Sequence, residues 1–152
     1  MNARAKALHA ACRHSRGLTL VESLIALMVL SIGLLGLAGL QTLSLKFNTG
    51  AYQRTQATAL AYDIADRMRA NRAAALNNEY NSGFGAPQVC GVPAGDGSVA
   101  QQDLAAWRNE LACRLPGSTG TIARDGDEFT LTVRWDEGAE NGQTEFEVTT
   151  AL

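Results

Sequence analysis

A chain of 152 residues, 46% hydrophobic and 18% charged, reads as one modest domain plus a membrane segment. Its formal charge is −2, but the basic residues Arg4, Lys6, Arg13 and Arg16 all lie within residues 1–17, a stretch with no acid. Without that stretch the charge falls to about −6, which argues against DNA as the main partner, and no nucleic acid is expected.

By the positive-inside rule, residues 1–17 stay cytoplasmic and the rest lies outside. They do not form an ordinary secretory signal, in which the apolar region precedes the cut and leaves with it. Here the apolar region follows Gly17 and is retained. His9, His14 and Cys12 all fall in this stretch. The neighbours of Cys12, His9-Ala10-Ala11, lack an apolar run, so a lipoprotein anchor is rejected.

From Ser23 to Leu45 the sequence carries no charge and no proline; Glu22 stands before the run and Lys46 after it. At 1.5 Å rise per residue such a helix is about 35 Å long, enough to cross a hydrocarbon core of about 30 Å. A surface helix of a soluble protein would keep a polar face. Glu22 is the unusual residue, because a carboxylate at the edge of a span persists where it has a partner or a task. The plainer alternative is an interfacial Glu that ends the span and stays wet.

Gly17-Leu18-Thr19-Leu20-Val21-Glu22 resembles the processing motif of type IV pilins and type II secretion pseudopilins. Three features coincide: a basic leader, Gly before a hydrophobic residue, and Glu at fixed spacing ahead of an apolar span. Leu18 stands where Phe or Met is commoner, and the leader is longer than in many relatives. The resemblance implies that a prepilin peptidase of the inner membrane cuts after Gly17 and methylates the new amino terminus at Leu18. It also implies an assembly role for Glu22. The Leu18 amine and the Glu22 carboxylate then sit one helical turn apart. Offset stacking of like helices pairs the amine of one with the glutamate of another, whereas an unpaired buried charge costs several kcal/mol.

Beyond Lys46 the helix is expected to continue as an amphipathic rod to about Ala75. Ala57, Leu60, Ala61, Ile64, Ala65 and Met68 recur at helical spacing. Asp63 and Arg67 are placed to pair weakly on the wet side. Arg67, Arg69 and Arg72 read as a solvated face, with a local basic patch as the alternative. Gly50 is a soft point rather than a break. Gly33, Gly36 and Gly39 suit close helix packing, or are ordinary membrane-helix glycines.

Asp63-Ile64-Ala65-Asp66-Arg67-Met68-Arg69-Ala70-Asn71-Arg72, with Gly33-Leu34-Leu35-Gly36-Leu37-Ala38-Gly39-Leu40-Gln41, narrows the resemblance to the type IV pilus modification proteins, a family of minor pilins. Asp103-Leu104-Ala105-Ala106-Trp107 and Leu115-Pro116-Gly117 extend it into the carboxyl-terminal half. It implies a low-abundance subunit that primes assembly together with other minor pilins and a major pilin. The implied fold is α+β and pilin-like: a long amino-terminal helix, half transmembrane and half amphipathic, packed on a small antiparallel sheet with a second short helix. The segments expected are a leader at 1–17, a membrane or filament-core helix at 18–46, its amphipathic half at 47–75 and a globular head at 76–152. Before assembly the chain is expected to cross the inner membrane once; afterwards it belongs to the periplasm or the extracellular pilus.

Residues 77–97 are rich in Asn, Gly, Ser and Pro and read as a loop. Asp103 to Leu115 returns to helix, with Leu104, Trp107, Leu111 and Leu115 on one face and Pro116-Gly117 as the stop. Strands are predicted at Thr121–Ala123, Glu128–Trp135 and Thr144–Thr149, since Phe129, Leu131, Val133 and Trp135 alternate with Thr130, Thr132 and Arg134. Asp136 to Gln143 reads as a hairpin connection.

Cys90 and Cys113 are the two cysteines left after the cut, and on the outer side of the membrane they are predicted to form a disulfide, two free thiols being the alternative. With no histidine beyond Gly17, no Ser-His-Asp or Cys-His pairing and no histidine metal cluster can form, so neither enzyme activity nor a cofactor is expected. Asp125-Gly126-Asp127-Glu128 reads as a solvated turn, since it lacks the spaced ligands of a calcium loop. The competing functions are a pilus subunit, a secretion pseudopilin with the same anchor, and a tip adhesin or DNA-binding module.

Overall fold

The computed structural model describes residues 19–93, 96–138 and 142–152. In chain order its elements are α1 (Leu20–Ala70), α2 (Arg72–Leu76), α3 (Val99–Arg114), β1 (Thr119–Asp125), β2 (Glu128–Asp136) and β3 (Gln143–Ala151). This is the α+β arrangement expected: a long first helix, a shorter one and a three-stranded antiparallel meander in the order β1-β2-β3. Two compact units divide within α1, between Leu43 and Ser44.

In the second unit the helical stripe read from sequence is the buried one. Ala57, Leu60, Ala61, Ile64, Ala65 and Met68 join Leu104, Trp107, Leu111 and Leu115 of the α3 region in one core with Phe129, Leu131, Val133 and Trp135 of β2. Burial of each large side chain contributes about 1.5–3 kcal/mol. Phe146 and Val148 of β3 pack half-buried at its margin. The Trp107 indole N–H donates to the Leu60 carbonyl at 3.0 Å, so the buried nitrogen of α3 is satisfied by the backbone of α1.

The first helix ends five residues before the expected Ala75. Asn71 leaves helical geometry at φ −114°, ψ 50°, and its side-chain amide donates to the Tyr80 hydroxyl at 3.3 Å. The chain resumes as α2. That short helix closes on Asn78 at φ 64°, with Asn78 N–H bonded to Ala75 O and Glu79 N–H to Ala74 O, each at 3.0 Å. This pair of bonds is the Schellman arrangement, and Asn is one of the few non-glycine residues that tolerates its left-handed position. The turn delivers Tyr80, read from sequence as part of a loop, into the core with no exposed surface.

The second long helix begins at Val99, four residues earlier than expected. Ser98 and Gln101 form a reciprocal cap, with Ser98 N–H to Gln101 Oε1 at 3.1 Å and Gln101 N–H to Ser98 Oγ at 3.4 Å. All three strands extend beyond the expected cores because the antiparallel register continues to Asp125↔Glu128 and Asp136↔Gln143. Gly126, at φ +61°, takes the first position of the two-residue β1–β2 turn, where a left-handed residue matches the twist of a hairpin.

Candidate assembly site

Thr19 starts α1. Its hydroxyl accepts from Glu22 N–H at 3.2 Å, and its carbonyl accepts from Ser23 N–H at 3.1 Å. Glu22 thus occupies the first turn, where unpaired amides favour a negative charge, and its side chain is exposed. Thr19-x-x-Glu22 has capping-box spacing. The Thr19 half of that box is formed, and the Glu22 charge lies at the end of the helix whose dipole favours it. Gly17 and Leu18, the residues expected at the cut and the methylated terminus, lie outside the described residues.

Behind Glu22 the helix is bare. Every Leu, Ile, Val and Met side chain from Leu20 to Leu45 is exposed, the least of them Leu43 at 47%. The segment is long and apolar enough to cross a membrane, and none of its most apolar stretch is buried. Apolar patches beyond ~300–600 Å² mark an interaction surface or a membrane segment. Hydroxyls within the span are turned inward on the backbone: Ser31 Oγ donates to Leu27 O at 2.7 Å and Thr42 Oγ1 to Ala38 O at 3.1 Å. These polar atoms therefore need no water in hydrocarbon. Around Gly33, Gly36 and Gly39 there is open space where a side chain would stand, so no contact within the chain requires glycine there.

In the head, Cys90 and Cys113 are joined by a disulfide with Cα atoms 4.6 Å apart. It fastens the irregular segment before α3 to the end of that helix. Gly91 N–H adds a bond to Asn109 Oδ1 at 2.8 Å.

Of the arginines expected to form a solvated face, Arg69 and Arg72 are exposed as expected, and Arg67 departs from it. Arg67 is only 28% exposed and sits among Asp63 at 2.9 Å, Glu110 at 3.4 Å and Asp103 at 3.7 Å, linking α1 to α3. Burial lowers its pKa, but the hydrogen bond to Asp63 and the charges of Asp63, Asp103 and Glu110 outweigh this and raise it. Arg69 bonds Asp66 and the Thr150 hydroxyl, and Arg72 bonds the Leu152 carbonyl. The same spacing that suggested a wet face lets α1 reach α3 and the end of β3. The Asp63–Arg67 pair follows from its spacing, whereas Asp103, Glu110, Thr150 and Leu152 are remote in the chain and periodicity does not reveal them.

Next to Arg67, the Tyr80 hydroxyl donates to Asp103 Oδ2 at 2.5 Å. Burial and this bond to a carboxylate push the Tyr80 pKa up to about 12. The cluster is a joint between elements. Among the described residues, no group of three His, Cys, Asp or Glu side chains is placed to hold a metal ion.

Residues 12–38 match the model of the prokaryotic N-terminal methylation motif. The match spans the expected cut, Glu22 and most of the bare stretch of the helix. No curated protein and no solved structure matches the chain in the same comparisons. The motif, together with the long helix and small sheet, supports a type IV pilin-like or pseudopilin-like structural protein. Such a motif implies processing by a prepilin peptidase and assembly with other pilins, and it is consistent with anchoring in a membrane.

Proposed function

We propose that this chain is a minor pilin of the type IV pilus, similar to the pilus modification protein PilV, and a structural subunit rather than an enzyme. It primes or modifies filament assembly in company with other minor pilins and the major pilin, and so contributes to twitching motility and adhesion. The observation that carries this reading is the methylation motif running directly into an uncovered apolar helix with Glu22 in its first turn. A bare helix of this kind is stable in lipid or in a bundle of like helices, and a peptidase cut ahead of it leaves a cation beside Glu22. The pilus modification resemblance of residues 63–72 favours a pilus over a secretion pseudopilus.

The test is deletion of the gene, scored for surface pili and twitching, with amino-terminal sequencing of the protein recovered from sheared filaments. Loss of pili, with a mature protein that begins at methylated Leu18, supports the proposal. Normal pili with a secretion defect transfers the chain to a pseudopilus. A mature protein that still begins at Met1 removes the pilin reading.

A further inference from the structure

The two edges of the sheet differ. At β1, Ser82 exchanges both backbone bonds with Ile122, at 2.9 and 3.0 Å, and covers the middle of that edge. At β3 the nine residues pair one for one with β2 on the inner side, and among the described residues no backbone segment meets the outer side. Every second residue of β3 therefore turns an N–H and a C=O outward. Natural edges are commonly blunted by Lys, Pro, a bulge or shortness. The β3 sequence, Gln-Thr-Glu-Phe-Glu-Val-Thr-Thr-Ala, has no Lys or Pro, and its register runs without a bulge.

Charge on the solvent face says what this edge will accept. Glu145 lies across from Arg134 and is bonded to it at 2.8 Å. Glu147 lies across from Thr132, and none of the ion pairs among the described residues includes it. Glu147 is also the middle residue of β3. Antiparallel pairing of β3 with a second copy, centred on the strand, would set Glu147 against Glu147. A shift of two residues would set Glu145 against Glu147 twice. Like charges directly opposite destabilise a pair of strands, so the edge resists its own copy.

On the inner face, Phe146 and Val148 stand half-buried beside the core. A groove of about 470 Å³ is lined there by Arg54, Thr58, Trp135, Thr144, Glu145 and Phe146. In strand addition, backbone bonds give affinity, and pockets for alternate side chains give specificity.

We propose that the outer edge of β3 is a strand-addition site for an extended segment of a different polypeptide. That segment carries Lys or Arg opposite Glu147 and an apolar side chain directed to the Phe146–Trp135 groove. The site stands independently of the filament reading above.

The test uses the full-length protein in detergent micelles and a probe peptide of alternating Thr and Val with Lys at its centre. A second peptide has Glu at that position. Amide exchange along β3 and binding are followed by NMR. The Lys peptide is expected to slow exchange at alternate β3 amides and to bind about five-fold more tightly than the Glu peptide. Glu147→Lys is expected to reverse that preference and Glu147→Gln to level it, each with the head's spectrum otherwise unchanged. The proposal is overturned if neither peptide slows β3 exchange, if protection falls elsewhere, or if both variants keep the wild-type preference. Self-association of the wild-type chain through β3 in sedimentation would overturn it as well.

Discussion

Gly120 lies directly beneath the indole of Trp107: a methyl group added at Gly120 would collide with the far edge of that ring and press on Leu111 Cδ1 at 3.0 Å. The close approach of α3 to β1 depends on this missing side chain. Trp107 is fully buried and hydrogen-bonded to Leu60, so it cannot swing aside. Gly120→Ala is expected to destabilise the head by about 1–3 kcal/mol, read from urea unfolding followed by tryptophan fluorescence. Unchanged stability would mean that the indole has more freedom than its packing implies.

Tyr80 makes the head sensitive to alkali. In the unfolded chain its hydroxyl loses a proton near pH 10, whereas in the folded head it holds that proton to about 12. The folded state binds more protons in this window. The stabilisation is complete below pH 10 and is lost as pH rises from 10 to 12, in full on the order of 2–3 kcal/mol. Tyr80→Phe is expected to cost about 1 kcal/mol at neutral pH through the lost bond to Asp103, and to flatten that alkaline slope. Thermal melts of both proteins between pH 8 and pH 12 measure the difference.

The disulfide holds a segment with few other anchors. Val89 and Val92, on either side of Cys90, are 91% and 96% exposed, so apolar burial contributes little there. Replacing both Cys90 and Cys113 by Ser is expected to lower stability by about 3 kcal/mol on the chain-entropy account. It should also accelerate amide exchange in residues 83–93 while leaving β2 protected. Hydrogen exchange with and without reductant checks both parts.

The helix cap shown at the first turn of α1 and the assembly role proposed for Glu22 can be tested separately. Thr19→Ala removes the cap on Glu22 N–H and is expected to cost about 1 kcal/mol of local helix stability, seen as faster exchange at residues 20–23. Glu22→Ala leaves the Thr19 hydroxyl in place. It is expected to abolish recovery of the protein in sheared filaments while the melting of the head stays unchanged. Equal loss of incorporation in both variants would make the helix start, rather than the carboxylate, the feature that assembly needs.

The parts most legible in the sequence were those governed by period. The stripe from Ala57 to Met68 and the alternation from Phe129 to Trp135 each report a face, and those faces are the buried ones. The uncharged run from Ser23 to Leu45 was equally plain. What periodicity could not supply were interactions between distant segments. Nothing near Asn71 in sequence foretells Tyr80, yet the bond between them accompanies the end of α1. Arg67 looked solvated because Asp103 and Glu110 lie on another helix. Two local signals that hydrophobic period does not carry, Ser98 with Gln101 and Thr19 with Glu22, lie in the sequence as capping-box spacings.

The inward-turned hydroxyls of Ser31 and Thr42 have a thermodynamic consequence. A helix that satisfies its own oxygens drags no hydration shell with it when its surroundings change. Passing from lipid chains to the flanks of similar helices exchanges one nonpolar neighbour for another, at little net free energy. For a helix of this kind such an exchange is nearly balanced, so polar groups at its ends weigh heavily on where it resides.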